Sequence, residues 1–376
     1  MSKEILLWCG FGFAALAMAY GLVACIAVRL RIRPDRPPPQ SLPSVTVMKP
    51  LCGLEAETYE CLRSFCDQSY ADFEVIFGIR DADDGVVAVV ERLQREFPDR
   101  RIQLVIDRRL HGSSRKVSNL INMSERARHD YLILADSDVR VRPDYLQKVV
   151  APLLDQSVGV VTCAYTGVPR GDLCSMLAAM FINEWFIPSV RVAAMSGSRA
   201  FAFGATIALR RSVLADIGGF SALANQLADD YRLGELTRRL GLRTVLSDVV
   251  VEICVSDSGF GELVRHELRW LRTIRMLQPL GYGLSFVTLG FPIGALGVLL
   301  AGGAAPVAVM FAIASAARMA LHLSVRTRGR AWLALVGVPV RDMLTSGLWI
   351  WSFTTRHVHW REKRYEVAAD GTVEPV

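Results

Sequence analysis

Three groups of carboxylates carry the chemistry this chain could do: Asp81-Ala82-Asp83-Asp84, Asp136-Ser137-Asp138 and Asp229-Asp230-Tyr231. The middle group follows the apolar run Leu132-Ile133-Leu134-Ala135, which reads as a buried strand. Open parallel sheets bind their ligands at the C-terminal ends of strands. Two carboxylates one residue apart at such an end suit a hard divalent cation holding a diphosphate. Each group also has a plainer reading, as an acidic turn or a helix N-cap, and Asp83, Asp84 and Asp229 are all open to it. Three such groups in one α/β region make that explanation weaker for the set than for any member. A fourth element, His266-Glu267-Leu268-Arg269-Trp270-Leu271-Arg272, places arginine and tryptophan directly before an apolar block. The arginine could stabilise charge on a departing diphosphate, and the indole could face a sugar or a lipid. An interfacial helix with a tryptophan anchor would explain the same residues.

These side chains need a scaffold, and the pattern around them supplies one. Val45–Met48, Phe73–Gly78, Ile102–Val105 and Tyr131–Ala135 read as strands. Glu57–Cys66, Val86–Phe97, Lys116–Ala127 and, later, Tyr231–Leu240 read as helices. Strands alternating with helical patterns predict an α/β, doubly wound, mostly parallel sheet. The three carboxylate groups then fall at strand ends or helix starts. Pro34 to Pro43 reads as an extended linker ahead of this domain.

Apolar segments flank the domain and raise the mean hydropathy of the chain to +0.30. Ile5 to Val28 is long enough to span a bilayer, and Arg29, Arg31, Arg33 and Arg36 after it form a basic flank. The positive-inside bias places that flank, and the domain behind it, in the cytoplasm. A second block runs from Leu284 to Phe353, with Leu284–Ala301 and Ala304–Val325 expected as two spans. For Ala331–Phe353 the basic flanks on both sides and the mid-segment Pro339, Arg341 and Asp342 favour a re-entrant or interfacial hairpin, because a lone charge in lipid is costly. Asp172–Val190 is open to two readings, an interfacial helix beside the path of a lipid or a core helix under the sheet. The expected organisation is therefore an anchor at 1–30, a linker at 31–44, a domain at 45–275, a membrane region at 284–355 and a basic tail at 356–376. The net charge of +6 gathers beside the apolar segments, which fits anionic headgroups, and no nucleic-acid-binding pattern is present. Eight cysteines without a CxxC pair read as reduced packing residues.

Taken together the residues resemble family-2-type glycosyltransferases, and within them the ceramide glucosyltransferase-like group. That group carries three aspartate motifs followed by (Q/R)xxRW, matched here by Asp81, Asp136-Ser137-Asp138, Asp230 and His266-Glu267-Leu268-Arg269-Trp270. Val45-Thr46-Val47-Met48-Lys49-Pro50-Leu51, Lys116-Val117-Ser118-Asn119-Leu120, Phe203-Gly204-Ala205-Thr206 and Gly218-Gly219-Phe220 extend the match. Two stretches, His111 to Met123 and Phe181 to Phe186, look most like the bacterial hopanoid-biosynthesis-associated branch. Histidine at 266, where the wider group has Gln or Arg, favours that branch too. The resemblance implies a GT-A fold and an inverting transfer from a UDP-sugar to a lipid hydroxyl at the bacterial inner membrane. On that reading Asp81, with Asp83 and Asp84 nearby, binds the uridine. Asp136 and Asp138 hold the nucleotide and a Mg2+ or Mn2+ ion, and Asp230 is the general base. Arg269 and Trp270 close over the diphosphate and acceptor, with His266 at the acceptor end of the catalytic set, while Lys49 and Lys116 are further donor contacts. The implied acceptor is a hopanoid receiving N-acetylglucosamine, or else ceramide receiving glucose. A processive polysaccharide synthase, a non-catalytic binder of nucleotide sugar or lipid, and a nucleotidyltransferase, which would leave the Arg269-Trp270 element unexplained, are the remaining alternatives.

Overall fold

The structure, a computed structural model, describes residues 2–30, 41–256, 259–325, 335–355, 357–360, 363–367 and 372–375. Eight strands form the main sheet: β1 Val45–Pro50, β2 Phe73–Ile79, β3 Arg101–Ile106, β4 Tyr131–Leu134, β5 Val139–Arg140, β6 Val158–Pro169, β7 Ile207–Arg210 and β8 Arg243–Val255. Their order is β3-β2-β1-β4-β7-β6-β8-β5. The pairings among β3, β2, β1 and β4 are parallel, as is β6 with β8; β7 runs against both neighbours and β5 against β8. β2 is buried along its whole length and β1 along all but its last residue. Parallel strands covered on both faces read as such continuous apolar runs. The four strands and the helices between them fall where the apolar pattern predicts, within a residue or so at most ends.

The helices are α1 Lys3–Arg29, α2 Thr58–Cys66, α3 Val86–Glu96, α4 Arg115–Ser124, α5 Tyr145–Val150, α6 Leu173–Phe181 and α7 Ile187–Met195. They continue with α8 Arg211–Asp216, α9 Asp229–Arg239, α10 Phe260–Leu277, α11 Pro279–Leu284, α12 Gly290–Leu300, α13 Ala305–Val325 and α14 Gly337–Ser352. α2, α3 and α5 cover one face of the sheet, over a core that includes Leu62, Phe65, Val90 and Leu146. α4, α8 and α9 cover the other, over Val117, Leu120, Leu214 and Leu233. The layers are those of a doubly wound α/β domain. Register shifts between Val158 and Val160 and between Thr162 and Ala164 interrupt the long β6–β8 pair. Bulges of this kind increase local twist, and they let the far half of β8 present Glu252 and Ile253 to β5, directly after the Asp136–Asp138 loop.

The apolar segments depart from expectation in three places. α1 and α13 are long and apolar enough to cross a membrane, and so is the continuous stretch Leu173–Met195. This last stretch is longer than the expected Asp172–Val190 and contains a π-helical turn at Ile182–Phe186. The expected span Leu284–Ala301 is instead broken at Leu289, where Pro279–Thr288 meets Gly290–Leu300 at 69°. The expected hairpin in Ala331–Phe353 is, over its described part, the single helix α14, with Pro339 in its first turn where a missing N–H costs little. Its charges are paired: Arg341 makes a two-pronged bond to Glu267, and Arg318 Nε donates to Asp342 Oδ2 at 2.9 Å. The argument from lone charges fails because neither charge is alone. Most of the proline-rich linker and the flanking Arg326, Arg328, Arg330, Arg356 and Arg361 lie outside the described residues. The tail contributes a small antiparallel sheet of β9 His357–Trp360, β10 Lys363–Val367 and β11 Val373–Pro375.

Candidate active site

The Asp136-Ser137-Asp138 loop is anchored in the main sheet at both ends. β4 delivers Asp136 after three buried residues, and β5 resumes at Val139 on the far edge. Behind the loop lies Lys49, with no exposed surface; its ammonium donates to the Asp136 carbonyl at 2.6 Å and sits 3.7 Å from the centre of the Phe65 ring. Burial pulls this lysine down to about 8, against the pull of the nearby Cys61, Asp138 and Asp136. Lys49 therefore holds the loop backbone rather than facing a donor, as a first-strand lysine was expected to do. The Asp138 carbonyl accepts from the Cys254 amide at 3.1 Å and from the Cys61 thiol at 3.4 Å, and the two sulfurs are 3.5 Å apart.

On the open side, α4 and α9 bring the other groups in. Ser114 caps α4 by accepting from the Val117 amide, which sets Lys116 in the first turn. Lys116 Nζ reaches Asp136 Oδ1 at 2.7 Å and Asp229 Oδ2 at 3.4 Å. Burial opposes its charge, but Asp136, Asp229 and Asp230 together hold it above the usual lysine range. Asp229 and Asp230 occupy the first turn of α9, which starts two residues ahead of the expected Tyr231, where a helix favours negative charge. Asp230 accepts at Oδ2 from the Gly204 amide and at Oδ1 from its neighbour Tyr231, each at 2.8 Å. Burial and the adjacent Asp229 push its carboxyl up to about 6, against Lys116. Burial and Asp136 push Asp138 to about 6 as well.

Gly204 fills the middle of this arrangement. A Cβ there would lie 3.2 Å from Asp136 Oδ2, 3.3 Å from Asp230 Oδ2 and 3.3 Å from Lys116 Nζ. The helix α10 supplies the fourth wall. Arg269 is largely desolvated, which lowers its pKa, and it feels the charges of Asp136 and Asp230. Trp270 packs edge-on to Tyr165 at 6.4 Å and to His266 at 5.0 Å between ring centres. The structure thus gathers Asp136, Asp138, Asp230, Lys116 and Arg269 within electrostatic reach of one another. Trp270 joins them through Tyr165, and His266 only through its ring contact with Trp270.

The first aspartate group stands farther out. Asp81 is half exposed, with Arg108 Nε 3.0 Å from its Oδ1. Asp83 is exposed. Asp84 has the plainer role: it accepts from the Gly53 amide at 2.7 Å and from Val86 at 3.0 Å, closing a loop and starting α3. The sequence assigns Tyr165 no role, and Asp229 belongs to the third carboxylate group with a helix cap as its plainer reading. Tyr165 sits mid-strand in β6 with no periodic signal to mark it, whereas an acid paired with a neighbouring acid at a helix start was a visible cue.

Among the described residues no three His, Cys, Asp or Glu side chains converge as a ready cage for a metal. Asp136 and Asp138 nevertheless fit a divalent ion. They are hard oxygen donors one residue apart, with Asp138 largely desolvated, and Mg2+ or Mn2+ commonly completes its shell with water and phosphate oxygens.

The chain is similar to proteins of known kind. The family model described as glycosyl transferase family 21 matches residues 10–373. Ceramide glucosyltransferase 1 of Caenorhabditis elegans is 24% identical over 213 residues, covering 56% of this chain and 45% of that protein. An N-acetylglucosaminyltransferase of Mesorhizobium japonicum is 24% identical over 279 residues, covering 70% and 65%. The chain spans about half the length of the first of these relatives. A mannosyltransferase of Pyrobaculum calidifontis, solved with GDP-Man and Mn2+, superposes with a TM-score of 0.56 at 21% identity, over 90% of this chain and 98% of that one. That likeness establishes the glycosyltransferase GT-A fold. The chain belongs to glycosyl transferase family 21, a family of sugar-transferring enzymes.

Proposed function

We propose that this family 21 member transfers one sugar from a UDP-sugar to the hydroxyl of a membrane lipid, with N-acetylglucosamine and a hopanoid of the bacteriohopanetetrol type as donor sugar and acceptor. The observation that carries the reading is the meeting of Asp136, Asp138, Asp230, Lys116 and Arg269 at one sheet end beside helices apolar enough for a bilayer. Asp230 takes the acceptor proton. Two backbone N–H groups fix its carboxylate, and a carboxyl pushed up to about 6 is still ionised near neutrality while matching the proton it must receive. Asp136 and Asp138 hold the diphosphate end of the donor; a bound Mg2+ or Mn2+ ion there supplies Lewis-acid stabilisation of the leaving UDP. Lys116 and Arg269 add fixed positive charge where the leaving group becomes more negative. Asp81 contacts the uridine at the rim, releasing Arg108. One displacement from the face of Asp230 inverts the sugar.

The proposed site of action is the cytoplasmic side of a bacterial inner membrane, an orientation that the basic flanks of the apolar segments support. A second reading, glucose transferred to ceramide, is favoured by the relatives named ceramide glucosyltransferase. The test uses the full chain in lipid nanodiscs with Mg2+ or Mn2+, offering UDP-glucose and UDP-N-acetylglucosamine against bacteriohopanetetrol and ceramide. Mass spectrometry should find one N-acetylhexosamine added to the hopanoid. A hexose on ceramide would move the protein to the second reading, and UDP release without any glycolipid would refute both acceptors.

A further inference from the structure

The residues from His111 to Met123 do more than supply Lys116. The polar side chains of α4 fold the chain ahead of that helix back along it. Ser118 Oγ accepts from the His111 amide at 3.0 Å, and Asn122 Oδ1 meets His111 Nε2 at 2.8 Å. Asn122 Nδ2 also donates to the Arg109 carbonyl at 3.1 Å. The loop is fixed by these bonds, and its tip, Gly112-Ser113-Ser114, meets the segment that leads into α9.

There the two segments clasp. The Ser113 amide donates to Asn225 Oδ1 at 2.9 Å, and the Ser113 hydroxyl donates to the same oxygen at 3.3 Å. The Ser114 amide donates to the Ala224 carbonyl at 2.9 Å. Gly112 lets the backbones close this far: a Cβ added there would stand 2.5 Å from the Ala224 carbonyl oxygen and 2.7 Å from Asn225 Oδ1. Asn225 itself is exposed, so its side chain is held by these bonds and not by a core.

Only short leads separate the clasp from the site. Lys116 lies two residues beyond Ser114, and Asp229 lies four residues beyond Asn225. Ser114 is also the N-cap of α4, so the clasp grips the residue that starts the helix of Lys116. Lys116 Nζ then spans the two sides, 2.7 Å from Asp136 on the sheet and 3.4 Å from Asp229 on α9. The first distance is that of a short charge-assisted bond. The second is longer than such a bond and is set by how closely α9 is drawn to α4. Leu120, Leu223 and Leu233 pack the same layer, but apolar contact is non-directional and does not fix a polar distance to tenths of an ångström.

We propose that Asn225 is a positioning residue for the sugar transfer, acting through Lys116. Its clasp on Ser113 sets the contact of Lys116 with Asp229 and so aligns Asp230, the next residue, with the donor end at Asp136. The inference rests on the roles given above to Lys116 and Asp230, and it adds the part that holds them in register.

The test uses the full chain in lipid nanodiscs with Mn2+, measuring UDP release from UDP-N-acetylglucosamine and UDP-glucose in the presence of bacteriohopanetetrol or ceramide. Asn225→Ala should lower kcat by about 10- to 100-fold, the scale on which misplacement by an ångström acts. The KM for the UDP-sugar should stay within about twofold, because Asp136 and Asp138 remain held by β4 and β5. Asn225→Asp keeps the accepting oxygen and should recover most of the rate. Gly112→Ala pushes the same two segments apart from the other side and should lower kcat in the same way. In a Lys116→Met background, where the positioned contact is gone, Asn225→Ala should add no more than about twofold. Losses that multiply in the double variant would assign the clasp to the fold alone and overturn the role. So would a wild-type kcat in Asn225→Ala, or a failure of Asn225→Asp to recover the rate. A wild type that consumes neither UDP-sugar would remove the reading of the site, and the positioning role with it.

Discussion

Asp230 is the residue on which the proposed chemistry turns, and its surroundings give it a testable titration. Its carboxyl is raised to about 6, so the ionised base is present above that pH and is lost as pH falls through it. The kcat/KM of transfer should therefore decline about tenfold per unit below pH 6, read from initial rates across a pH series. Asp230→Asn removes the base and leaves Asp136 and Asp138 in place. Turnover should drop by about 100- to 10,000-fold, the usual scale for general acid–base catalysis, while UDP-sugar binding measured by calorimetry changes little. Gly204 makes a narrower prediction at the same scale. Its position beside Asp136, Asp230 and Lys116 leaves a methyl group at 3.2 to 3.3 Å from three polar atoms, tight enough that these side chains must each shift by a few tenths of an ångström. Gly204→Ala should cost at least tenfold in kcat with little loss of thermal stability, since the strain falls on side chains lining an opening. The Asp136–Asp138 pair was legible in the sequence because a short polar cluster after an apolar run marks a strand end, and Lys116 and Asp229-Asp230 because polar clusters mark helix starts. The first group carries the same mark, yet Asp81 and Asp83 stand apart and Asp84 closes a loop. Gly204 stood inside a recognisable motif, but its role became readable only once β7 and α9 were brought face to face.

Among the elements, α10 is the one that joins the catalytic domain to the membrane region. It carries His266, Arg269 and Trp270 on the side of the site and Glu267 toward α14, where Arg341 grips it with almost no exposed surface. Arg341 is thus a positioning residue: it sets the rotation of α10 and so the aim of Arg269. Breaking one partner of such a buried pair costs about 3–5 kcal/mol, whereas replacing both by apolar groups of similar size is often neutral. Arg341→Met should therefore lower the melting temperature and kcat together. Adding Glu267→Leu should restore melting but not the full kcat, because packing returns without the fixed rotation; full recovery of both would assign the pair a structural role alone. Element by element, the parallel strands and their helices were legible because unbroken apolar runs and helical periodicity are local signals. The pairing of Arg341 with Glu267 spans 74 residues and has no local signal, which is why α14 looked like a hairpin from its charges. The break at Leu289 was hidden for a similar reason: an apolar run carries no mark of where its helix bends.

At the scale of the whole molecule, the chain's first helix is held by the helices near its end. α1 packs along both α12 and α13, and the contact with α12 is a backbone one. A Cβ added at Gly10 would stand 2.5 Å from the Gly297 carbonyl, and one added at Gly297 would stand 2.7 Å from that of Gly10. Small residues let helices approach this closely in lipid, where van der Waals contact replaces the hydrophobic effect as the force of association. α12 has only 11 residues, about 16 Å at the rise of an α-helix, too short to cross a bilayer alone. It depends on α1 and α13 for its place. Gly297→Val should therefore separate α12 from α1. The expected outcome is a fall of several degrees in the melting temperature of the detergent-solubilised protein and a raised KM for the lipid acceptor. Binding of the UDP-sugar should stay close to wild type, because Asp136, Lys116 and Asp230 are positioned by β4, α4 and α9 and not by these helices. A variant that lost donor binding in proportion to lipid transfer would mean that the membrane helices and the sheet act as one unit. Retention of donor binding alone would show a nucleotide site that stands on the sheet, with a lipid site assembled by two distant ends of the chain.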